Sequence, residues 1–392
     1  MREWLISREL EEYAIEMRRY FHCYPELSEE EAGTQKRICE ELEKINIPYT
    51  CVPTHQVVAQ INGNKSGKRI ALRADIDALP MQEESELSFR SRHDGVAHTC
   101  GHDAHTAILL AAAKYLSTHK DEWSGTVLLC FQGSEEIGGH GACELIPYLN
   151  GTGGADHALG LHVEPMLSTG QIAAIPGARA AGSIGFHATI MGMGGHGSRP
   201  DRSLDPILPA CEAVQKISAI PANRNCALEP LVVNVGCISA GNAYNAVPEI
   251  AEFAGSIRYF NPDLPQKVLP MIRRMIEGTA ESYGETAKVE FENIAYPLVN
   301  SQEACTIAEK IISETEGFSM GEIEPDMGSD DFCEFSSAYG GLYALLGTTS
   351  DPEKRYPLHH PKYHLDEDSI KYGVEFTVRY VVQYLSDGTQ IE

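Results

Sequence analysis

Thr126-Val-Leu-Leu-Cys-Phe-Gln132 is a nearly unbroken apolar run that ends at Gly133-Ser134. Its short length and its lack of polar alternation predict a strand that is buried on both faces of a sheet. Arg69–Ala74 and Ala158–His162 have the same character, and the Ala- and Leu-rich stretch Ala104–Leu116 predicts a helix. Strands that alternate with helices in this way predict an α/β domain with a mostly parallel sheet covered on both faces.

The same α/β pattern continues toward both ends of the chain. Two helices are predicted at the start, and the second is expected to begin at Ser28, because Glu31 follows three residues later in a capping-box pattern. The first domain is expected to comprise residues 1–181 and 297–392. Its remaining predicted elements are a strand at Val57–Ile61, a helix at Glu303–Glu316, a strand at Leu342–Leu346 and a helix at Asp366–Leu385.

The middle of the chain has a different order of elements, β-α-β-β-α-β, which is that of a ferredoxin-like α+β unit. Residues 182–296 are therefore expected to form a second domain that is inserted into the first. Its predicted strands are Ser183–Met191, Leu231–Ser239, Glu252–Tyr259 and Lys288–Ile294, and its predicted helices are Pro206–Ser218 and Pro265–Tyr283.

The composition excludes several classes of partner. With 392 residues the chain is too long for one ordinary hydrophobic core. The formal net charge of −25 repels nucleic acid phosphates and anionic lipid. No apolar run is long enough to cross a bilayer, and the charges throughout the first twenty residues argue against a signal peptide. A cytoplasmic location is expected, in which the eleven cysteines are reduced.

His98-Thr-Cys-Gly-His-Asp-Ala-His105 is the densest polar cluster in the chain, and it lies before the predicted Ala-rich helix. Cys100 and His102 are two residues apart, so that both can turn toward one metal ion from a loop. The alternative interpretation is a polar turn in which Asp103 or Thr106 caps the helix. The residue types favour the metal site.

Three further segments bring polar side chains to the ends of predicted strands. Glu135-Glu136 follows the first quoted strand, His162 closes another, and Pro357-Leu-His-His-Pro361 contains His359. Taken singly, the carboxylates could be an exposed helix start and each histidine a structural residue. Together they lie along one edge of a parallel sheet, where α/β proteins usually bind ligands. Thiolate, imidazole and carboxylate groups suit Zn, Mn, Co or Ni better than Ca or Mg.

Several motifs occur together in a highly specific order: Arg73-Ala-Asp-Ile-Asp-Ala-Leu-Pro80, the His98–His105 cluster, Glu135-Glu136, Gly160-Leu-His162, Gly194-Gly-His-Gly197, Asn245-Ala-Val-Pro248 and His359-His-Pro361. With these motifs, nearly the whole chain resembles the metallo-aminoacylase and carboxypeptidase superfamily. It is most similar to the amidohydrolase branch of hippurate hydrolases, auxin-conjugate hydrolases and N-acyl-amino-acid amidohydrolases. The resemblance implies a catalytic domain with a dinuclear metal centre, and it implies that the inserted domain is a lid.

The resemblance also implies a ligand set for two divalent metal ions per subunit, which could be Zn, Mn, Co or Ni. The set comprises Cys100, His102, Glu136, His162 and His359. Cys100 stands where the superfamily has a bridging carboxylate, so it is expected between the two ions. His102 and His162 are expected on one ion, and Glu136 and His359 on the other.

One ligand of the wider superfamily is replaced in this sequence. A His-x-Asp motif supplies a metal-binding His in the superfamily, and Arg73 stands at that position here. His102 is expected to take over the role of the missing His. Asp75 is expected to support the ligands from behind without binding metal itself.

The implied reaction is hydrolysis of the amide bond of small N-acyl amino acids. Glu135 is expected to act as the general base that takes a proton from water and passes it to the leaving amine. His196 is expected to donate to the scissile carbonyl, with a neighbouring subunit as one site that it could reach. Asn245 and Arg258 match lid positions near the substrate, where an Arg suits a free carboxylate. All three lid residues could instead be ordinary loop or strand residues.

Other interpretations compete with this one. A dipeptidase or carboxypeptidase on the same scaffold is the main alternative. A non-catalytic binding module is disfavoured because the five ligand candidates and Glu135 are all present. A nucleotide-binding protein is disfavoured because no Gly-x-Gly-x-x-Gly follows the first strand. The substrate preference, the metal, the oligomeric state and any role of Asp330 or Asp331 stay open, although an exposed lid edge strand would suit a homodimer.

Overall fold

The computed structural model describes residues 3–138, 140–351, 353 and 355–386. The chain divides into two compact units. The first comprises Met1–Arg179, Leu298–Glu324 and Asp330–Glu392, and the second comprises Ala180–Pro297 and Pro325–Ser329. The sequence did not predict that the short segment Pro325–Ser329 would join the inserted unit.

The described helices are α1 (Arg8–Cys23), α2 (Ala32–Lys44), α3 (His102–Thr118), α4 (His140–Gly151), α5 (Ile207–Ser218), α6 (Ile220–Arg224), α7 (Leu264–Ser282), α8 (Gln302–Glu314), α9 (Phe332–Tyr339) and α10 (Asp368–Ser386). The described strands are β1 (Tyr49–Val52), β2 (Gln56–Asn62), β3 (Arg69–Asp75), β4 (Thr126–Gln132), β5 (His157–Glu164), β6 (Gln171–Ala173), β7 (Gly177–Ala180), β8 (Gly182–Met191), β9 (Gly195–His196), β10 (Leu231–Ala240), β11 (Ala246–Val247), β12 (Ile250–Tyr259), β13 (Thr286–Ala295), β14 (Leu298–Asn300), β15 (Ser319–Met320) and β16 (Gly341–Gly347).

The first unit contains an eight-stranded sheet in the order β1-β2-β4-β3-β5-β16-β6-β15. Its centre, β4-β3-β5-β16, is parallel, which confirms the predicted α/β fold with a mostly parallel sheet. Asp75 pairs with Gln132, and Arg73 pairs with Gly160. The carboxyl ends of β3 and β4 are therefore level, and β5 reaches the same edge at His162.

α3 is buried on nearly every side and holds the centre of the first unit together. Small side chains at Ala107, Ala111 and Ala112 let it pack closely against α1, α10 and the sheet. Alanine also has the most favourable helix propensity, because it loses no side-chain entropy. The helix begins at His102, so the polar cluster of the sequence is anchored to a rigid element.

The second unit contains a four-stranded antiparallel sheet in the order β10-β12-β8-β13. α5 and α7 pack against this sheet, and apolar side chains such as Ile184, Phe253 and Ile276 form its core. The chain order of these elements is β-α-β-β-α-β, which confirms the predicted ferredoxin-like arrangement. β9 and β11 form a separate two-stranded sheet in this unit.

The predicted start of α2 is wrong. The helix begins at Ala32 rather than directly after Ser28, and Glu31 at its N-cap makes no side-chain cap hydrogen bond. The carboxylate of Glu26 serves the helix start instead, since it accepts from the backbone N–H of Thr34 at 2.7 Å. The capping-box pattern of Ser28 and Glu31 therefore does not mark the start of this helix and has another cause.

None of the helices in the described part of the chain combines the length and the apolar composition that crossing a membrane requires.

Candidate metal centre

The parallel strands and α3 bring the predicted metal-binding residues to one place in the first unit. One group of potential ligand atoms comes from Asp75, His102, His105 and His162, and a second from Cys100, Glu136 and His359. Within each group these atoms lie within 4.8 Å of one another. The structure thus brings all five predicted ligands together, with His102 and His162 in one group and Glu136, His359 and Cys100 in the other. Their roles as ligands stay a prediction.

The two groups adjoin each other closely. Sγ of Cys100 lies 3.6 Å from Nε2 of His162. Oε1 of Glu136 lies 3.5 Å from Nε2 of His359 and 3.8 Å from Nε2 of His102. His359 is half exposed, whereas Cys100, His102 and His162 are buried, so the cluster opens toward solvent on the His359 side.

The hydrogen bonds that two imidazoles make through Nδ1 turn their Nε2 atoms toward the other candidate ligands. Nδ1 of His102 donates to the backbone oxygen of Asp77 at 2.9 Å, and Nδ1 of His162 donates to the backbone oxygen of Val163 at 2.7 Å. Nε2 of His102 and Oε1 of Glu136 are buried and have no hydrogen-bond partner within the described residues. Because unpaired buried polar atoms are costly, this arrangement fits a bound cation.

Cys100 fits a cation as well. Burial raises the pKa of its thiol well above the ordinary range, so that a thiolate at this position requires positive charge beside it. Gly101 allows the chain to turn there, because its φ of 83° is left-handed and an added Cβ would lie 2.3 Å from Cγ2 of Val163. A side chain at Gly101 would clash with Val163 and strain the backbone between the candidate ligands Cys100 and His102.

His105 lies in the first group, but its ring is already satisfied. Nδ1 is hydrogen bonded to the Asp75 carboxylate, and Nε2 accepts from the backbone N–H of Val163 at 2.9 Å. Neither nitrogen is available to a metal ion. His105 instead orients Asp75 and the end of β5, a role that the sequence analysis missed although the residue belongs to the quoted cluster.

Asp75 lies closer to the candidate ligands than the sequence suggested. One of its oxygens is 3.5 Å from Nε2 of His102, the nitrogen that is available to a cation. Arg73 holds Asp75 in place by donating to it at 2.5 Å, and the same guanidinium donates to Asp331 at 2.6 Å. Burial opposes the charge on Asp75, but Arg73 and the neighbouring histidines outweigh burial and lower the pKa of this carboxyl. The ionised carboxylate adds negative charge beside the candidate metal site.

Asp77 is a functional candidate that the sequence analysis missed. Besides contacting His102, its Oδ2 accepts from the backbone N–H of Glu136 at 3.0 Å and from the hydroxyl of Ser28 at 2.8 Å. Asp77 therefore fixes one candidate ligand of each group. Its position two residues after Asp75, in the motif from Arg73 to Pro80, was the available signal.

Glu135 lies between the candidate ligands and a second set of carboxylates. It is close to His102 and Glu136 on one side and to Asp330 and Asp331 on the other. Burial, followed by repulsion from Asp330 and Asp331, raises the pKa of Glu135 well above its ordinary value. A carboxylate with a raised pKa holds a proton more readily, as a general base must do during turnover.

The predicted lid residues lie in the second unit. His196 of β9 pairs with Ala246 of β11 and is exposed, and its Nδ1 accepts from the backbone N–H of Ser198 at 3.1 Å. Nε2 of the neutral ring therefore carries the proton and can donate it. Asn245 adjoins this pair, since its backbone oxygen accepts from Gly197.

Arg258 lies elsewhere in the second unit. It pairs with Ser183 in the four-stranded sheet, and its guanidinium donates to the hydroxyl of Ser329 at 3.2 Å. The structure therefore brings His196 and Asn245 together but places Arg258 on a different part of the unit.

Comparisons with known proteins assign the chain to a family. Residues 71–383 match the group described as Peptidase family M20/M25/M40. The chain is similar to thermostable carboxypeptidase 2 of Saccharolobus solfataricus, with 36% identity over 371 residues that cover 93% of this chain and 94% of that protein. It is similar to N-acetylcysteine deacetylase of Bacillus subtilis, with 35% identity over 367 residues that cover 92% of this chain and 94% of that protein.

A solved structure supports the same assignment. The chain resembles the YxeP protein of Bacillus subtilis, which is described as a dinuclear metal-binding peptidase of the M20 family. The TM-score is 0.85 and the identity 30%, over 97% of this chain and 99% of the other.

We predict that Cys100→Ala loses bound metal, whereas Cys100→Asp retains part of it, because a carboxylate can replace a thiolate between two cations and a methyl group cannot. Elemental analysis of the purified variants measures this. Cys130→Ala, at a buried cysteine of β4 in the same unit, is the matched control and should keep the metal content of the parent. Equal metal content in Cys100→Ala and the parent would remove Cys100 from the ligand set.

Proposed function

Since the chain belongs to the Peptidase family M20/M25/M40 and is a metal-dependent amidohydrolase, we propose that it hydrolyses the amide bond of small N-acyl amino acids, releasing a carboxylic acid and a free amino acid. The predicted resemblance to this superfamily is confirmed. N-acetylcysteine deacetylase, one of the similar proteins, acts by its name on a compound of the proposed class.

The observation that carries the proposal is the pair of buried, unpartnered atoms in the candidate metal centre, Nε2 of His102 and Oε1 of Glu136, judged over the described residues. With Cys100, His162 and His359 around them, they form a mixed sulfur, nitrogen and oxygen ligand set. Two divalent cations in such a set would polarise a carbonyl and lower the pKa of a water molecule. Zn, Mn, Co and Ni all suit these donors.

Glu135 supplies the proton transfer that amide hydrolysis needs. It adjoins Glu136 and His102, so its carboxylate is placed to take a proton from a water molecule at the centre. Its raised pKa, caused by burial and by Asp330 and Asp331, allows it to hold that proton until the leaving nitrogen accepts it. Arg73 balances part of the negative charge, since it faces Asp330, Asp75 and Asp331.

The lid residues would bind the rest of the substrate. His196 can donate from Nε2 to the scissile carbonyl oxygen, and Asn245 lies beside it. The guanidinium of Arg258 can bind both oxygens of a free α-carboxylate. This carboxylate distinguishes an amino acid product from other amines, so Arg258 would restrict the enzyme to N-acyl amino acids.

Arg258 and His196 lie far apart in the second unit. Arg258 pairs with Ser183, and Met191 lies eight residues further along the same strand, about 26 Å away at roughly 3.3 Å per residue. His196 follows five residues after Met191. Even if these five residues ran straight back along the strand, the backbones of His196 and Arg258 would stay roughly 10 Å apart. The resemblance to the superfamily implies that His196 can reach a neighbouring subunit, and on that ground we propose that it serves the site of a second subunit in a homodimer.

Carboxypeptidase activity is a second candidate, because thermostable carboxypeptidase 2 is among the similar proteins. We predict faster release of amino acid from hippurate and N-acetyl amino acids than from dipeptides, measured by amine release after metal reconstitution. A dipeptide differs by a positively charged amine on the acyl side, next to the scissile carbonyl, where the two proposed divalent cations would repel it. A preference for dipeptides of tenfold or more would favour the peptidase reading instead.

We predict that Glu135→Gln keeps the fold and the metal but loses turnover by about 10²–10⁴-fold, because the amide cannot accept a proton from water. Initial rates and metal content are measured on one preparation. Glu334→Gln is the matched control, since Glu334 is another partly buried carboxyl whose pKa burial raises. Near-normal kcat would exclude Glu135 as the base, and lost metal would make it a ligand.

We predict that the parent strongly prefers hippurate over its methyl ester and that Arg258→Ala loses most of this preference. A charged hydrogen bond contributes roughly 1.5–3 kcal/mol, so kcat/KM for the acid should fall about tenfold to a few hundredfold. Arg274→Ala, at an exposed arginine of α7, is the control. A full preference retained in Arg258→Ala would place the carboxylate anchor elsewhere.

A further inference from the structure

In the loop between α1 and α2, residues 24–31, the side chains of Ser28 and Glu31 contact the surroundings of the candidate metal centre, whereas Glu26 serves the start of α2. Ser28 and Glu31 have the spacing of a capping box, yet neither caps α2. Both side chains point to other elements of the first unit. Ser28 contacts Asp77, and Glu31 contacts Ser134.

Ser28 acts on the carboxylate that connects the two candidate ligand groups. Its hydroxyl donates to Oδ2 of Asp77 at 2.8 Å, the same oxygen that accepts the backbone N–H of Glu136. The other oxygen of Asp77 lies 3.2 Å from Nδ1 of His102. A carboxylate with both oxygens engaged cannot rotate freely, so Ser28 fixes the orientation in which Asp77 holds His102 and Glu136.

Glu31 acts on the turn that leads into Glu135. Ser134 has a φ of 59°, a left-handed conformation that a residue other than glycine rarely adopts. The backbone N–H of Ser134 donates to Oε1 of Glu31 at 2.8 Å, and the hydroxyl of Ser134 accepts from the backbone N–H of Glu29 at 3.1 Å. A Cβ on Gly133 would lie 2.9 Å from the same carboxylate oxygen, so the turn is closely enclosed.

The burial of Glu31 argues against a purely local role. Its side chain is fully buried, and Oε2 has no hydrogen-bond partner in the described part of the chain. Burial raises the pKa of this carboxyl to about 7. A buried carboxyl is a costly way to stabilise a turn, because a smaller neutral acceptor or water could accept from the backbone of Ser134 as well.

We propose that Ser28 and Glu31 are positioning residues for the metal centre: Ser28 orients Asp77, and Glu31 holds the left-handed turn at Ser134 that aims Glu135 and Glu136. The inference rests on the proposed function of Glu135 and Glu136 as base and ligand. It also explains why the sequence has a capping-box pattern where the structure has no such cap.

The test uses four variants of the full chain: Ser28→Ala, Glu31→Ala, Glu31→Gln and the control Glu30→Ala. Glu31→Gln keeps an oxygen that can accept from Ser134. Glu30 is the exposed neighbour of Glu31, and its side chain has no role in the proposal. Three quantities are measured: amide hydrogen exchange of the segment with Ser134 and Glu136 in metal-free protein, binding of Co²⁺ alone by its thiolate absorption, and kcat and KM for an N-acyl amino acid.

We expect the amide of Ser134 in Glu31→Ala and that of Glu136 in Ser28→Ala to exchange at least about tenfold faster than in the parent. The dissociation constant for Co²⁺ should rise about tenfold in both variants. kcat should fall about tenfold to a hundredfold with KM nearly unchanged, because misplacement affects the chemical step more than binding. Glu31→Gln should recover most of the loss, and Glu30→Ala should match the parent.

Unchanged exchange and Co²⁺ affinity in Ser28→Ala and Glu31→Ala would overturn the proposal. So would a loss of activity that only follows a smaller folded fraction, determined by urea unfolding of each variant. If Glu31→Ala does not fold, Ser28→Ala and Glu31→Gln decide the matter. If the parent hydrolyses no N-acyl amino acid, the proposed function fails, but the exchange and Co²⁺ measurements still test the positioning roles.

Discussion

The Asp77 carboxylate connects parts of the first unit that are far apart in sequence. It accepts from Ser28 in the loop before α2, from the backbone of Glu136 after β4, and it contacts His102 at the start of α3. These contacts form only when β3 and β4 end level with each other, as the pairing of Asp75 with Gln132 ensures. The geometry of the candidate metal centre therefore depends on the register of the parallel sheet.

Charge is the second constraint on this region. Arg73 is buried and is surrounded by carboxylates, including Asp75 and Asp331. Glu135 and Glu136 lie beside these carboxylates, and an excess of negative charge there is unfavourable without further cations, as the raised pKa of Glu135 indicates. The substitution of Arg for a metal-binding His at position 73 is then understandable. Arg73 supplies a permanent positive charge behind the candidate metal centre, while His102 faces this centre.

Local patterns predicted much of the fold. Thr126–Gln132 forms a strand with the predicted limits, and the inserted unit has the predicted order of elements. The start of α2 could not be predicted, because Ser28 and Glu31 bond to Asp77 and Ser134, which are far away in sequence. The β1 strand was also missed, since only pairing with β2 marks it.

The sequence motifs predicted the candidate ligands, but they did not predict the residues that orient these ligands. The five ligand candidates have the residue types that metals require, and the structure brings them together. His105 is a histidine like three of the ligand candidates, but it is excluded as a ligand because Asp75 and Val163 occupy both of its ring nitrogens. Such occupancy depends on tertiary hydrogen bonds. The same holds for Asp77, whose three partners come from three separate segments.

In the proposed metal centre, two divalent cations share the Cys100 thiolate. Anomalous scattering from crystals of the Mn- or Zn-loaded protein tests it most directly. We expect two peaks roughly 3.5–4 Å apart, both beside Sγ of Cys100, one near His102 and His162 and the other near Glu136 and His359. A single peak, or a peak among Glu135, Asp330 and Asp331 with none beside Cys100, would contradict it.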